Sequence, residues 1–279
     1  GMVTLSGSVV SRYERFSRYN SPYPAHDRGC AIDLYPGENG GPAPSPVAGE
    51  VIDTRTVRCP PKPYAVDTDH LILLDTGDHV ARILHVDPAV EPGDAVAVGD
   101  SLGRLVRSGF FGRWVDDHIH LGFRAPDANP YRASGSLPLA VDCDVAQLAW
   151  DGTGEIVEIG ETHIRLDAPA GGDGFVALAS DEGVPLDGGL VHYTGAGTFA
   201  PASGALSLLG TEVVTPSEDG IEWRDVAVTV DGVRATGLSL FASRVEFGAK
   251  LVFHEGHEFA VGESVQVAIH ETTDPIRLG

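Results

Sequence analysis

Two histidines two residues apart, in Asp117-His118-Ile119-His120-Leu121-Gly122-Phe123-Arg124, are the side chains of this sequence best placed to do chemistry. On an extended strand, residues i and i+2 project from the same face, so the two imidazoles stand side by side. A neutral imidazole is a zinc ligand and also a general base near neutral pH, so one strand can supply both functions. The plainer alternative is a half-exposed strand whose outward positions happen to be histidine. The rest of the chain supplies company. Ala25-His26-Asp27-Arg28-Gly29-Cys30-Ala31-Ile32-Asp33-Leu34-Tyr35 leads a histidine and a carboxylate into an apolar run, and Ala81-Arg82-Ile83-Leu84-His85-Val86-Asp87 sets another histidine in a strand pattern. Hydrolytic zinc sites use three protein ligands of the His/Asp type and keep a fourth position for water, and the chain offers one such set.

The order His…Asp, a strand ending in Leu-His, then His-x-His-Leu-x-Phe-x-Arg resembles the lysostaphin/LytM-type zinc endopeptidases. Intervening residues agree. Ala43-Pro44-Ser45-Pro46-Val47-Ala48-Gly49-Glu50-Val51-Ile52 is similar to the family's Ala-Pro…Gly-x-Val strand, and Val90 to Gly103 is similar to its Val-x-x-Gly-Asp-x-Val hairpin. Asn129-Pro130 resembles the family's closing Asn/Asp-Pro. The resemblance covers roughly residues 20 to 135 and implies an all-β duplicated hybrid motif (a barrel-sandwich hybrid). Carried over residue by residue, it makes His26, Asp33 and His120 the zinc ligands, His118 the general base and His85 its partner at the developing oxyanion. It also implies a peptide or peptidoglycan-like substrate. Asp87, Asp116 and Asp117 are candidates for supporting these groups.

One spacing departs from the family. Three residues normally separate the first His from the Asp, whereas six separate His26 from Asp33. A step of four keeps two side chains on one face of a strand and a step of seven places them on opposite faces, so the chain must turn or bulge at Arg28-Gly29 for both to reach one metal. His26, Gly29, Ala31 and Asp33 are similar to the His-x-x-Gly-x-Ala-x-Asp of the related D-Ala-D-Ala peptidase and Hedgehog branch, which has the six-residue gap. Cys30 lies between the two, as a further candidate ligand or as a small buried strand residue. His254-Glu255-Gly256-His257 has an i, i+3 spacing that could suggest a second metal, but Gly256 marks it as a hairpin tip, and a turn gives a metal site no rigid frame.

The 279 residues include 35 Gly and 19 Pro in short alternating segments with almost no helical periodicity, which predicts an all-β chain. A peptidase-like domain over 1–140 and a second β sandwich or barrel over 141–279 are expected, the latter from strand-like segments at 155–159, 162–167, 175–179, 238–241 and 250–253. The second region shows no motif that can be tied to chemistry. Three cysteines with no paired spacing argue against a disulfide framework. No apolar stretch is long enough to span a bilayer and no signal peptide is visible, so a cytoplasmic location is expected. Two functions stay open: a zinc metallopeptidase, and a catalytically inactive homologue acting as a noncatalytic β binding module. A biotinyl or lipoyl carrier is disfavoured, since neither Lys62 nor Lys250 sits at a suitable hairpin tip.

Aspartate and glutamate total 40 against 19 basic residues, a formal net charge of -21, and only two of the basic residues are lysine. Such a surface repels phosphate backbones, which argues against a nucleic-acid partner. An acidic, lysine-poor chain also fits a halophilic protein, in which salt screens self-repulsion. The range of that repulsion falls from about 30 Å at 0.01 M salt to about 3 Å at 1 M. The thermal midpoint is therefore expected to climb with sodium chloride into the molar range, and a flat profile would remove the halophilic reading.

Overall fold

Alternation of apolar and polar positions along short strands does most of the work in this chain. The computed structural model describes residues 1–279, and helix is confined to the four-residue turns Gly7–Val10 and Pro24–Asp27. The protein is all-β, as its composition predicts. Its residues group into two units, 1–16 with 29–143, and 17–28 with 144–279. No helix is long and apolar enough to cross a membrane.

In the first unit an antiparallel sheet runs in the order Ile32–Tyr35, Ile119–Arg124, Val80–Leu84, Thr68–Asp75, Gly49–Arg58, Ala95–Val96. Ile32 and Leu34 on the first strand, Ile119 and Leu121 on the second, and Ile83 on the third are fully buried. Each contributes about 1.5–3 kcal/mol by leaving water. The residues between them, Asp33, His120, Gly122 and Arg82, necessarily face the other way. His120 pairs directly with Asp33 on one side and with Leu84 on the other. A slip of one residue would exchange His120 with Leu121, so burial of the apolar face fixes the register that aligns the polar one. A second, three-stranded sheet joins Pro42–Pro44, Ser101–Leu105 and Val86–Pro88. Gly103 in it has φ +141, and a side chain there would run into the Asp87 carbonyl.

The second unit has a nine-stranded sheet centred on Gly237–Leu240, Lys250–Val252, His163–Leu166, Thr153–Ile159 and Ser264–Glu271. Ile164, Leu166, Leu190, Val228, Leu238 and Leu251 are among the buried residues of one continuous core. Strands at Thr153–Ile159, His163–Leu166, Phe175–Leu178, Gly237–Leu240 and Lys250–Val252 overlap the five expected segments, while Val226–Val230 and Ser264–Glu271 are among those the sequence reading did not name. His254 and His257 flank a turn at Gly256, φ +93, and bond to Thr236 Oγ1 at 2.6 Å and to the Gly160 carbonyl at 2.7 Å.

His192 is buried in this second unit, and burial, with His254 adding to it, pushes its imidazole down to about 3. An unfolded histidine takes a proton near pH 6.5, so the unfolded state binds more protons than the folded one as pH falls below that value. Stability is then complete above about pH 6.5 and lost on acidification. Between pH 7 and pH 5 this group is expected to cost about 2 kcal/mol. Chemical denaturation of wild type and His192→Gln at both pH values measures it, the expected result being a smaller loss on acidification in the variant. An equal loss in both would show that His192 is not the group responsible.

Candidate metal centre

His26 lies on the Pro24–Asp27 turn, which has proline in its first turn, the position where a missing N–H costs nothing. The turn ends at Arg28, and Gly29 follows with φ +65. The chain therefore does turn at Arg28-Gly29, and Asp33 lies on the Ile32–Tyr35 strand that begins three residues later. His26 and Asp33 are buried, and His120 is partly open.

Asp33 and His120 stand on directly paired positions of adjacent strands. His120 Nδ1 is 3.4 Å from Asp33 Oδ1. Two ligands about 2.0–2.1 Å from one tetrahedral ion stand about 3.4 Å apart, so this edge has the size that zinc requires. His26 Nδ1 is 2.7 Å from the Arg18 carbonyl, which can only accept, so Nδ1 carries the proton and Nε2 keeps its lone pair. A ring nitrogen bonded to a backbone carbonyl is the usual way a protein orients a metal-binding imidazole. The donor set therefore fits zinc. Cys30 is half-buried.

His118, just before the Ile119–Arg124 strand, is held the same way, with Nδ1 2.8 Å from the Asp116 carbonyl. That leaves Nε2 as the acceptor, 3.5 Å from Asp33 Oδ2. Burial pushes the His118 imidazole down to about 4 against the pull of Asp33, with His85 and His120 adding to the fall, so the ring is neutral at pH 7. Phe111 and Tyr35 pack on it, their ring centroids 4.6 and 4.8 Å away.

His85 follows the Val80–Leu84 strand and has φ +75, a conformation that only a few per cent of residues other than glycine adopt. Asp69 holds it there. Oδ1 accepts the His85 backbone N–H at 2.9 Å, and Oδ2 lies 2.5 Å from Nδ1. Burial would raise the Asp69 carboxyl, but the neighbouring His85 and hydrogen bonds from His85, Ser108 and His70 bring it down to about 2, so it is ionised. The His85 and His118 ring centroids are 5.0 Å apart and those of His85 and His120 are 5.8 Å apart.

Sequence reasoning pointed to Asp87, Asp116 and Asp117 as supporting carboxylates, and the carboxylate on His85 is Asp69 instead. Asp87 lies 3.8 Å from His70, Asp116 pairs with Arg15 at 2.6 Å and gives only its carbonyl to His118, and Asp117 accepts the Gly40 N–H at 2.9 Å. The available signal for Asp69 was the hairpin register, which pairs Leu71 with Leu84 and so carries Asp69 to the end of the strand that precedes His85.

Residues 4–141 match the family model described as domain of unknown function (DUF8155) N-terminal domain, and residues 146–270 match its C-terminal domain. The chain belongs to the DUF8155 family. Comparison with curated proteins finds no match. Among solved structures, this DUF8155 protein is similar to a mutant catalytic domain of the prophage-encoded protein EnpA from Enterococcus faecalis, at 20% identity over 44% of this chain and 92% of that one, TM-score 0.31. It is also similar to the catalytic domain of the antimicrobial peptidase lysostaphin from Staphylococcus simulans, at 17% identity over 46% and 92%, TM-score 0.30. A third likeness is to a zinc containing peptidase from Vibrio cholerae, at 19% identity over 44% and 40%, TM-score 0.27.

Proposed function

We propose that this protein is a zinc-dependent metallopeptidase, with His26, Asp33 and His120 as ligands, His118 as general base and His85 at the oxyanion. The observation that carries this is the pairing of His120 Nδ1 with Asp33 Oδ1 at 3.4 Å beside a buried, neutral imidazole whose free nitrogen is Nε2. Zinc, when bound, acidifies water towards a pKa of about 7 and polarises a carbonyl. His118 Nε2 takes the proton of the attacking water and returns it to the leaving amine, while Asp116 holds the proton on Nδ1. His85 stands at the oxyanion with its ring oriented by the contact of Nδ1 with ionised Asp69. Phe111 and Tyr35 restrict water around His118.

The proposed substrate is a peptide or a peptidoglycan-like peptide. The test is hydrolysis of a mixture of synthetic peptides, with and without D-alanine and oligoglycine segments, read by mass spectrometry on the zinc-loaded protein. Cleavage that stops on chelation and returns with zinc supports the proposal. A zinc-loaded protein that cleaves none of them would favour the noncatalytic β module.

Asp69→Asn removes the charge that holds the His85 proton while leaving all three ligands in place. Its expected effect is a fall of about 100-fold in kcat with zinc content unchanged, in line with the loss of one oxyanion donor. Steady-state kinetics and metal analysis on the same preparation check it. Wild-type kcat in Asp69→Asn would remove His85 from the mechanism.

A further inference from the structure

Two arginines sit on the sheet face that carries His120. Arg82 pairs with Gly122, and Arg124 pairs with Val80, so the two stand diagonally on neighbouring antiparallel strands. Both are buried, Arg82 at 7% and Arg124 at 1% exposure. Arg82 Nε donates to the Pro130 carbonyl at 2.6 Å. Arg124 donates from Nε to Ser136 Oγ at 3.2 Å and from Nη1 to the Asn129 carbonyl at 3.3 Å. These acceptors are two carbonyls and a hydroxyl, all neutral, so neither charge is matched by them. Arg124 Nη2 is buried with no hydrogen-bond partner. On this face Asp75, opposite Val80, accepts the Gly77 N–H at 2.8 Å, and Asp53 lies opposite Leu73, which in turn pairs with Arg82. The Asp53 carboxylate is taken by Tyr131 at 2.8 Å and Arg55 at 3.0 Å.

A chain with 40 carboxylates and 19 basic side chains has no shortage of partners for an arginine, yet this buried pair is left to neutral groups. Burial of like charges side by side is strongly unfavourable unless an opposite charge joins them. Both guanidiniums are pushed down by burial, that of Arg82 to about 10 with the charge of Arg124 adding to the fall.

We propose that Arg82 and Arg124 form a binding site for a small monovalent anion of the halide class, taken from solution and held beneath the 125–136 segment. The cover explains the size. Pro130, Asn129 and Ser136 close over the guanidiniums, and Gly135 stands so that a side chain on it would lie 3.7 Å from Arg124 Nη1. A phosphate or a peptide carboxylate would have to displace these contacts. A single-atom anion needs only to meet the free Nη2 and the neighbouring fork. It would also clamp the 125–136 segment onto the strand that carries His118 and His120, although the site does not depend on the proposed zinc chemistry.

The test follows the thermal midpoint of the full-length protein while sodium chloride or bromide replaces sodium gluconate at constant total sodium. A saturating rise is expected, about 5 °C at a hundredfold excess over Kd. Arg124→Gln should lose this saturating part and keep the general response that all salts share. Arg82→Lys, which retains the charge and removes the planar fork, serves if the first variant does not fold, and should move half-saturation about tenfold higher. Crystals soaked in bromide should show one anomalous peak between the two guanidiniums. The proposal is overturned if chloride and gluconate give the same midpoint in wild type, or if the variants keep the full chloride increment. Acetate matching chloride would overturn the halide assignment in favour of a carboxylate site.

Discussion

His118→Ala is expected to lower peptide hydrolysis about 100- to 10,000-fold while zinc content stays near wild type. The imidazole has the features of a base and lacks those of a ligand. Its Nδ1 proton is fixed on the Asp116 carbonyl, its Nε2 faces Asp33 Oδ2 at 3.5 Å, and burial keeps the ring neutral at pH 7. Proton transfer to Nε2 creates an imidazolium beside the Asp33 carboxylate, which stabilises that charge only once it forms, and alanine removes both acceptor and charge. Kinetics at saturating substrate with metal analysis on the same sample separate the possibilities. A parallel loss of zinc and activity would exchange the roles of His118 and His120. Full activity without the imidazole would remove proton transfer at this position altogether. His118→Gln keeps a polar group in the same volume, so a matching loss there would point to basicity and not to packing against Phe111 and Tyr35.

Parts of this site were legible in the sequence because they obey strand periodicity. The His-x-His spacing places His118 and His120 on one face by the pleat alone, and the apolar partners Ile119 and Leu121 turn inward as alternation requires. The need for a turn between His26 and Asp33 followed from the same geometry, and proline at 24 and glycine at 29 are the residue types that build it. Nothing local could reveal Asp69, since its meeting with His85 depends on which strands pair and in what register. The positive φ of His85 was equally silent, because histidine is enriched in that region yet most histidines lie outside it. Arg82 and Arg124 read as ordinary polar positions of two strands, and only their burial and the neutral groups around them set them apart. In the second unit five strands were visible in the sequence and others, such as Leu186–Leu190 and Ser264–Glu271, were not, and no spacing there gathers ligating or nucleophilic side chains.

Substituting a ligand should have a larger effect than any other single change. The full chain, dialysed against trace zinc and then against buffer, is expected to hold one zinc, and His120→Ala or Asp33→Ala to hold less than about 0.2 equivalents, because two remaining ligands bind zinc far more weakly than three in a preformed set. His120 Nδ1 and Asp33 Oδ1, 3.4 Å apart on directly paired positions of adjacent strands, are the rigid part of the set, and backbone pairing brings them together before any metal binds. His26 lies on a short turn and not on a paired strand, so His26→Ala should weaken binding less than either strand substitution and raise the rate at which a chelator strips the metal. Elemental analysis gives the stoichiometry and competition with a chromogenic chelator gives the affinities. Wild-type zinc content in His120→Ala would sink the ligand assignment, and with it the proposed peptidase, whatever the other variants do.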